Sequence, residues 1–295
     1  MGRGSYQASD WAKLRASRGI TSTSSASSIF TSTKAKDAYL PKFIDVRESR
    51  DSEDSPNSTP IILGFDVTGS MGYLAEEIAK NALNETVTNI YAKNPVTNPH
   101  IMCAAFVEAE DRDGLQVTQF EADIRVVEQL LDLRVGFGGN WFSYDSLLWY
   151  FAARHTAIDS YEKRGRKGIL IGIGDEIADY QNKHIITRDE IKTMFKDDVD
   201  KDITLKEAYE MAAEKYEIIH IITGANNQNA WESWTALPYM KGRVAMIDPK
   251  NINCLSEVIT SILQLINKGN REDIINQWEP KDKAIVRKAI KDIQF

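Results

Sequence analysis

Cysteines, long apolar runs and an excess of basic charge are what this chain lacks, and each lack removes a class of protein. Its 295 residues include only two cysteines. That excludes a disulfide framework, and because Cys103 and Cys254 both stand in apolar patterns they are expected as buried free thiols in a reducing cytoplasm. No apolar run approaches the ~20 residues that a membrane-spanning helix needs. The opening Met1-Gly-Arg-Gly-Ser-Tyr6 has no apolar core of the signal-peptide kind, and Tyr6 stands where a myristoylation pattern wants a small hydroxyl residue. The net charge is −7, which argues against a body that binds nucleic acid or an anionic membrane. Histidine is scarce too, at four residues. His100 and His220 fall at or within expected strands, His155 on a helix and His184 in a polar loop, places where a lone histidine is usually structural.

What is present divides the chain into three. Residues 1–58 form an arm that is basic up to Lys42 and nearly all Ser and Thr from Thr21 to Thr33. Such composition offers little to offset the entropy of ordering, so the arm is expected to be partly extended or disordered. Trp11, Leu14, Ile29, Phe30, Tyr39, Leu40, Phe43 and Ile44 are nevertheless apolar anchors that a pure linker would lack, and they predict that parts of it lie against the body or a partner. Residues 59–268 alternate buried apolar runs with helical patterns. The strands are expected at 61–65, 100–107, 115–120, 167–174, 217–223 and 243–248, and the alternation calls for an α/β fold with a doubly wound, mostly parallel, six-stranded sheet. Asp111-Arg-Asp113-Gly114 is a turn signal, so the third strand is expected as an antiparallel edge. Helices are expected over 71–91, around Ile124 to Leu131, over 143–157 and over 252–266, with shorter ones over 187–195 and 204–216. Residues 269–295 read as an amphipathic helical tail.

The stretch that organises the chain is Pro60-Ile-Ile-Leu-Gly-Phe-Asp66-Val-Thr68-Gly-Ser70-Met-Gly72. A buried strand ends in Asp66, and Thr68 and Ser70 follow on the turn into a helix. In an open α/β sheet that turn lies on the carboxyl edge, where ligands bind. A carboxylate and two hydroxyls there suit a hard cation such as Mg²⁺. The bland reading is a helix start capped by Thr68 or Ser70.

Asp66-Val67-Thr68-Gly69-Ser70 resembles the Asp-x-Ser/Thr-x-Ser loop of von Willebrand factor A (vWA) domains, part of a metal-ion-dependent adhesion site. The likeness extends in element order from about Ile61 to Asn267. It implies a Rossmann-like vWA fold and two further metal loops. Asp175, directly after a buried strand, matches the third. Gly138-Gly139-Asn140-Trp-Phe-Ser143 lies where the second should be, but without the expected Thr, so either Asn140 or Ser143 would supply the oxygen. The resemblance thus implies Asp66, Thr68, Ser70, Asn140 or Ser143, and Asp175 around a divalent cation, Mg²⁺ first and Mn²⁺ or Ca²⁺ otherwise. An open position on it would take an Asp or Glu from a partner protein. Trp141, Phe142 and Tyr144 would form an apolar rim, or else belong to the core. Among family members this chain looks like the cytoplasmic bacterial or phage ones, many of which act as adaptors of MoxR-type AAA+ ATPases. This reading makes the chain a binding module and not an enzyme. The alternatives are a hydrolase with Ser70 on a nucleophile elbow, where Thr68 replaces the required Gly; a phosphatase with Asp66 as nucleophile, where Thr68 replaces the second Asp; and an assembly protein with a vestigial site.

Overall fold

The computed structural model describes residues 8–21, 23–78, 83–107, 113–135, 143–178, 185–224 and 227–295. The side chains of Ala8, Ala26, Ser70, Ala75, Glu76 and Leu83 lie outside that description. Its strands are β1 (Arg47–Ser49), β2 (Thr59–Asp66), β3 (Pro99–Phe106), β4 (Leu115–Val117), β5 (Thr156–Ile158), β6 (Gly168–Gly174), β7 (Tyr216–Ile222) and β8 (Val244–Met246). Its helices, in chain order, are α1 (Ala8–Arg18), α2 (Ala26–Ile29), α3 (Gly72–Glu77), α4 (Leu83–Lys93), α5 (Arg125–Leu130), α6 (Asp145–Arg154), α7 (Asp159–Glu162), α8 (Arg188–Phe195), α9 (Leu205–Ala213), α10 (Asn227–Ala236), α11 (Leu255–Ile266), α12 (Arg271–Asn276) and α13 (Pro280–Ala289).

The main sheet has six strands in the order β4-β3-β2-β6-β7-β8. All its pairs are parallel except β3–β4, the antiparallel edge. The order reverses between β2 and β6, so the carboxyl ends of these two strands flank the crevice where such sheets bind ligands. Side chains alternate along each strand. Ile61, Leu63 and Phe65 of β2, with Ile169, Ile171 and Ile173 of β6, enter one core beside α4, α11, α12 and α13. Ile62 and Leu170 enter the other, beside α6, α8, α9 and α10. Both faces are covered, which is why these strands read as unbroken apolar runs and not as an apolar–polar alternation.

The described part of the arm lies on this body. Trp11, Ile20, Ile29, Phe30 and Tyr39 join the first core. Asp132, just beyond α5, binds Lys36 at 2.7 Å and Arg18 at 3.2 Å and accepts from the Tyr39 hydroxyl at 3.3 Å. Further along, β1 pairs in parallel with β5. The tail packs likewise, with Ile274, Ile275, Trp278, Val286, Ile290 and Ile293 in the first core. Both cysteines are free and buried. Among the described residues no helix is long and apolar enough to cross a membrane.

The structure departs from the sequence reading in several places, of which three bear on the elements around the site. The helix expected over 143–157 stops at Arg154, where the Thr156 hydroxyl turns back onto the Ala152 carbonyl at 2.6 Å and the chain enters β5. The helix expected over 252–266 begins as 3-10 turns over Pro249–Cys254. Between β7 and β8 stands α10, for which the sequence raised no expectation.

Candidate functional site

Asp66 is the last residue of β2 and only 1% exposed. Its Oδ1 accepts from the Thr68 N–H at 2.8 Å and its Oδ2 from the Ser143 hydroxyl at 2.8 Å. Thr68 precedes a 3-10 turn over Gly69–Met71, yet its side chain makes no cap bond there. Its hydroxyl bonds Asp66 instead, so it does not serve the helix start. Ser143 reaches Asp66 because α6 comes in close over the sheet. A Cβ on Gly172 of β6 would meet Asp145 Oδ1 at 2.6 Å, which places the start of α6 close over this part of the sheet.

Asp175 follows β6 directly. A Cβ on Gly174 would lie 3.1 Å from Asp66 Cβ, which places the end of β6 alongside the Asp66 side chain. A Cβ on Gly224, after β7, would lie 2.1 Å from Asp175 Cβ, so Asp175 is backed by bare backbone. The two acids act on each other. Burial pushes the Asp66 carboxyl up to about 7, and Asp175 adds to that, against the hydrogen bonds from Thr68 and Ser143. Burial also raises the Tyr73 hydroxyl to about 12, with Asp175 and Asp66 contributing, so Tyr73 of α3 stands within reach of both charges. Its hydroxyl lies 3.2 Å from that of Thr223 at the end of β7.

Of the six site residues expected from sequence, the structure brings Asp66, Thr68, Ser143 and Asp175 to one edge. Ser70 lies on the same turn, but its side chain falls outside the described residues, and so does all of Asn140. Trp141 and Phe142 are also outside, as are Gly138, Gly139, Asp111 and His184. Tyr144 is 3% exposed and belongs to the second core, which removes it from the expected rim.

The supporting groups were not visible in sequence. Asp145 Oδ1 lies 3.2 Å from His220 Nδ1, both fully enclosed, and His220 stacks on Trp234 of α10 at 4.2 Å. The Trp234 indole N–H donates to the Glu176 carbonyl at 3.0 Å, and the Ala178 N–H donates to Ser233 Oγ at 2.9 Å. Thus α10 and the Asp145–His220 pair fix the loops that carry Asp175 and Ser143. The only sequence signal was the residue pair Ala230 and Trp234, spaced i, i+4, which are the buried positions of that helix.

The donors at this edge are hard oxygens, carboxylate and hydroxyl, which suit a hard divalent cation. Among the described residues no group of three or more His, Cys, Asp or Glu side chains gathers for a metal. The described donors are two carboxylates with hydroxyls. Asp175 is the charged group that acts on Asp66 among the described residues, and two neighbouring carboxylates disfavour each other's ionised form.

No known family's sequence profile matches the chain, and no curated protein does. Among solved structures it is similar to the pilus adhesin SpaC from Lactobacillus rhamnosus GG in its open conformation, at 10% identity and a TM-score of 0.44 over 69% of this chain and 30% of that one. It is similar to proximal thread matrix protein 1 of the mussel byssus, whose structure has a zinc-occupied MIDAS motif, at 12% identity and a TM-score of 0.43 over 75% and 49%. A von Willebrand factor type A protein from Catenulispora acidiphila matches at 12% and 0.40 over 78% and 48%. The chain spans less than half the length of each of these proteins. Its own strand order, its antiparallel edge and the meeting of Asp66, Thr68, Ser143 and Asp175 at the switch point give it a vWA-like fold.

Proposed function

We propose that this carboxyl edge is a divalent-cation centre through which the protein binds a carboxylate of a partner protein. The observation that carries the reading is Asp66 itself, fully buried, held by Ser143 and Thr68, and within electrostatic reach of Asp175 with no described counter-charge. Asp66 and Asp175 would hold the ion, with Thr68, Ser143 and Ser70 as hydroxyl donors and Asn140 as the further candidate. Mg²⁺ is the first choice, and Mn²⁺ or Ca²⁺ the alternatives. The bound ion supplies a Lewis-acidic position for an Asp or Glu side chain. The chain's own residues do the rest: Gly224 leaves room for Asp175, while Trp234 and the Asp145–His220 pair keep the two loops in place.

The role proposed is binding, not catalysis. A hydrolase at Ser70 needs a nearby base, and the described histidines are elsewhere. His100 pairs with Pro60 at the amino end of β2, His155 caps the end of α6, and His220 is enclosed by Asp145 and Trp234. The partner class that the family resemblance names is a MoxR-type AAA+ ATPase in the cytoplasm. The test is capture of that partner with and without chelator, repeated with Asp66→Ala. Capture is expected to fail in both cases while circular dichroism shows the fold intact; capture retained in chelator would refute the bridge.

A further inference from the structure

A large cavity lies at the other end of the sheet. It encloses about 620 Å³ between the starts of β2, β3 and β6 and the ends of α4 and α11. That is within the usual range for small-molecule sites, roughly 300–1,000 Å³. β2 runs from this cavity to Asp66, so the two places are about 23 Å apart at the rise of an extended strand.

Its charge is opposite to that of the whole protein. Arg164, Arg166 and Lys167 line it, in a chain of net charge −7. Gly165, at φ +62°, reverses the chain between the two arginines, and the Arg166 N–H closes the turn on the Ser160 carbonyl at 2.8 Å. Arg164 is spent on Asp51 and on the Ser58 carbonyl. Lys167 stands 4.0 Å from Glu217, but Glu217 is already held by Arg243 at 2.6 Å. The Arg166 guanidinium has no partner among the described residues. Arg166 is therefore unpaired on this wall, and Lys167 beside it shares its one acid with Arg243.

A second, independent feature stands on the same wall. Ser160 is 3% exposed, lines the cavity, and its hydroxyl has no hydrogen-bond partner. A buried hydroxyl left unpaired is costly, and a ligand's polar group would recover that cost. Asn57 and Asn94 add side-chain amides to the lining.

We propose that this cavity binds a small phosphate monoester. Arg166 and Lys167 take the phosphoryl group, whose double charge draws on both cations more strongly than a single carboxylate would. Ser160 and the two amides take hydroxyls on the body of the ligand. The site shares no residue with the carboxyl edge, so the two stand or fall separately.

The test is calorimetric titration of the full chain with ribose 5-phosphate, ribose and inorganic phosphate. Ribose 5-phosphate should bind tightest. Arg166→Gln with Lys167→Gln, both at exposed positions, should weaken it at least tenfold, Ser160→Ala should weaken it several-fold, and Asp66→Ala should leave it unchanged. Equal binding of ribose, equal binding of inorganic phosphate, affinity undiminished in the Arg166/Lys167 variant, or no binding at all would each overturn the proposal.

Discussion

Replacing Gly224 with alanine tests whether Asp175 belongs to the cation centre without touching any proposed ligand. The new Cβ would lie 2.1 Å from Asp175 Cβ and 2.9 Å from its Oδ2. Carbon atoms pack at about 3.5–4.0 Å, so the two must separate by roughly 1.5 Å, and both are anchored to backbone. Gly224 has no positive φ, so the strain is steric and not conformational. Overpacking of this kind costs about 1–3 kcal/mol of stability. Displacing a ligand by disturbing what supports it costs about 10–100-fold in metal affinity. The assay is Mg²⁺ binding by calorimetry beside a denaturant midpoint. Gly168→Ala is the control, because its Cβ would crowd Pro60 and Tyr216 at 2.8 Å, at the far end of β6. Both variants should lose stability, but only Gly224→Ala should lose Mg²⁺ affinity. A folded Gly224→Ala protein with undiminished Mg²⁺ binding would refute the placement of Asp175 in the centre.

Ser143→Ala removes the hydroxyl from Asp66 Oδ2 and should cost about 1–3 kcal/mol in the metal-free protein, read as a lower urea midpoint. Asp159 anchors the arm through Arg50 at 2.9 Å, the Asp51 N–H at 2.9 Å and Lys163 at 2.6 Å. Burial opposes its charge, but these donors outweigh it and hold the pKa at about 2, below the ordinary 3.8. Because the folded value is depressed, the stabilisation is present above pH 3.8 and is lost as pH falls through 2. It amounts to about 2 kcal/mol, and Asp159→Asn should flatten that part of the acid-unfolding curve. Asp132→Ala cuts the ties to Arg18, Lys36 and Tyr39; the two ion pairs are partly exposed and worth about 0–1 kcal/mol each. It should open residues 19–36 to limited proteolysis while barely moving the melting temperature.

The central strands were legible because both faces of the sheet are covered, leaving Ile61 to Phe65 and Ile169 to Ile173 as uninterrupted apolar runs. Asp66 and Asp175 were legible for the same reason, as the first charges after such runs. What escaped was short or held from afar. β1 is Arg-Glu-Ser, with no apolar residue to announce it, and it is fixed by pairing with a strand more than a hundred residues later. α10 buries only Ala230 and Trp234, too few for a visible apolar face. The Asp145–His220 contact joins residues 75 apart in sequence, and neither local pattern hints at it. The arm looked too polar to order itself, and it does not do so alone: its few apolar anchors settle in a core built by the rest of the chain.

Direct measurement of divalent-cation binding to the full chain bears most closely on the central claim. Equilibrium dialysis against Mg²⁺, repeated with Asp66→Ala and Asp175→Ala at unchanged circular dichroism, should show a single ion per chain in the unmodified protein and none in either variant. Binding that survives both substitutions, or its absence from the unmodified protein, would contradict the account.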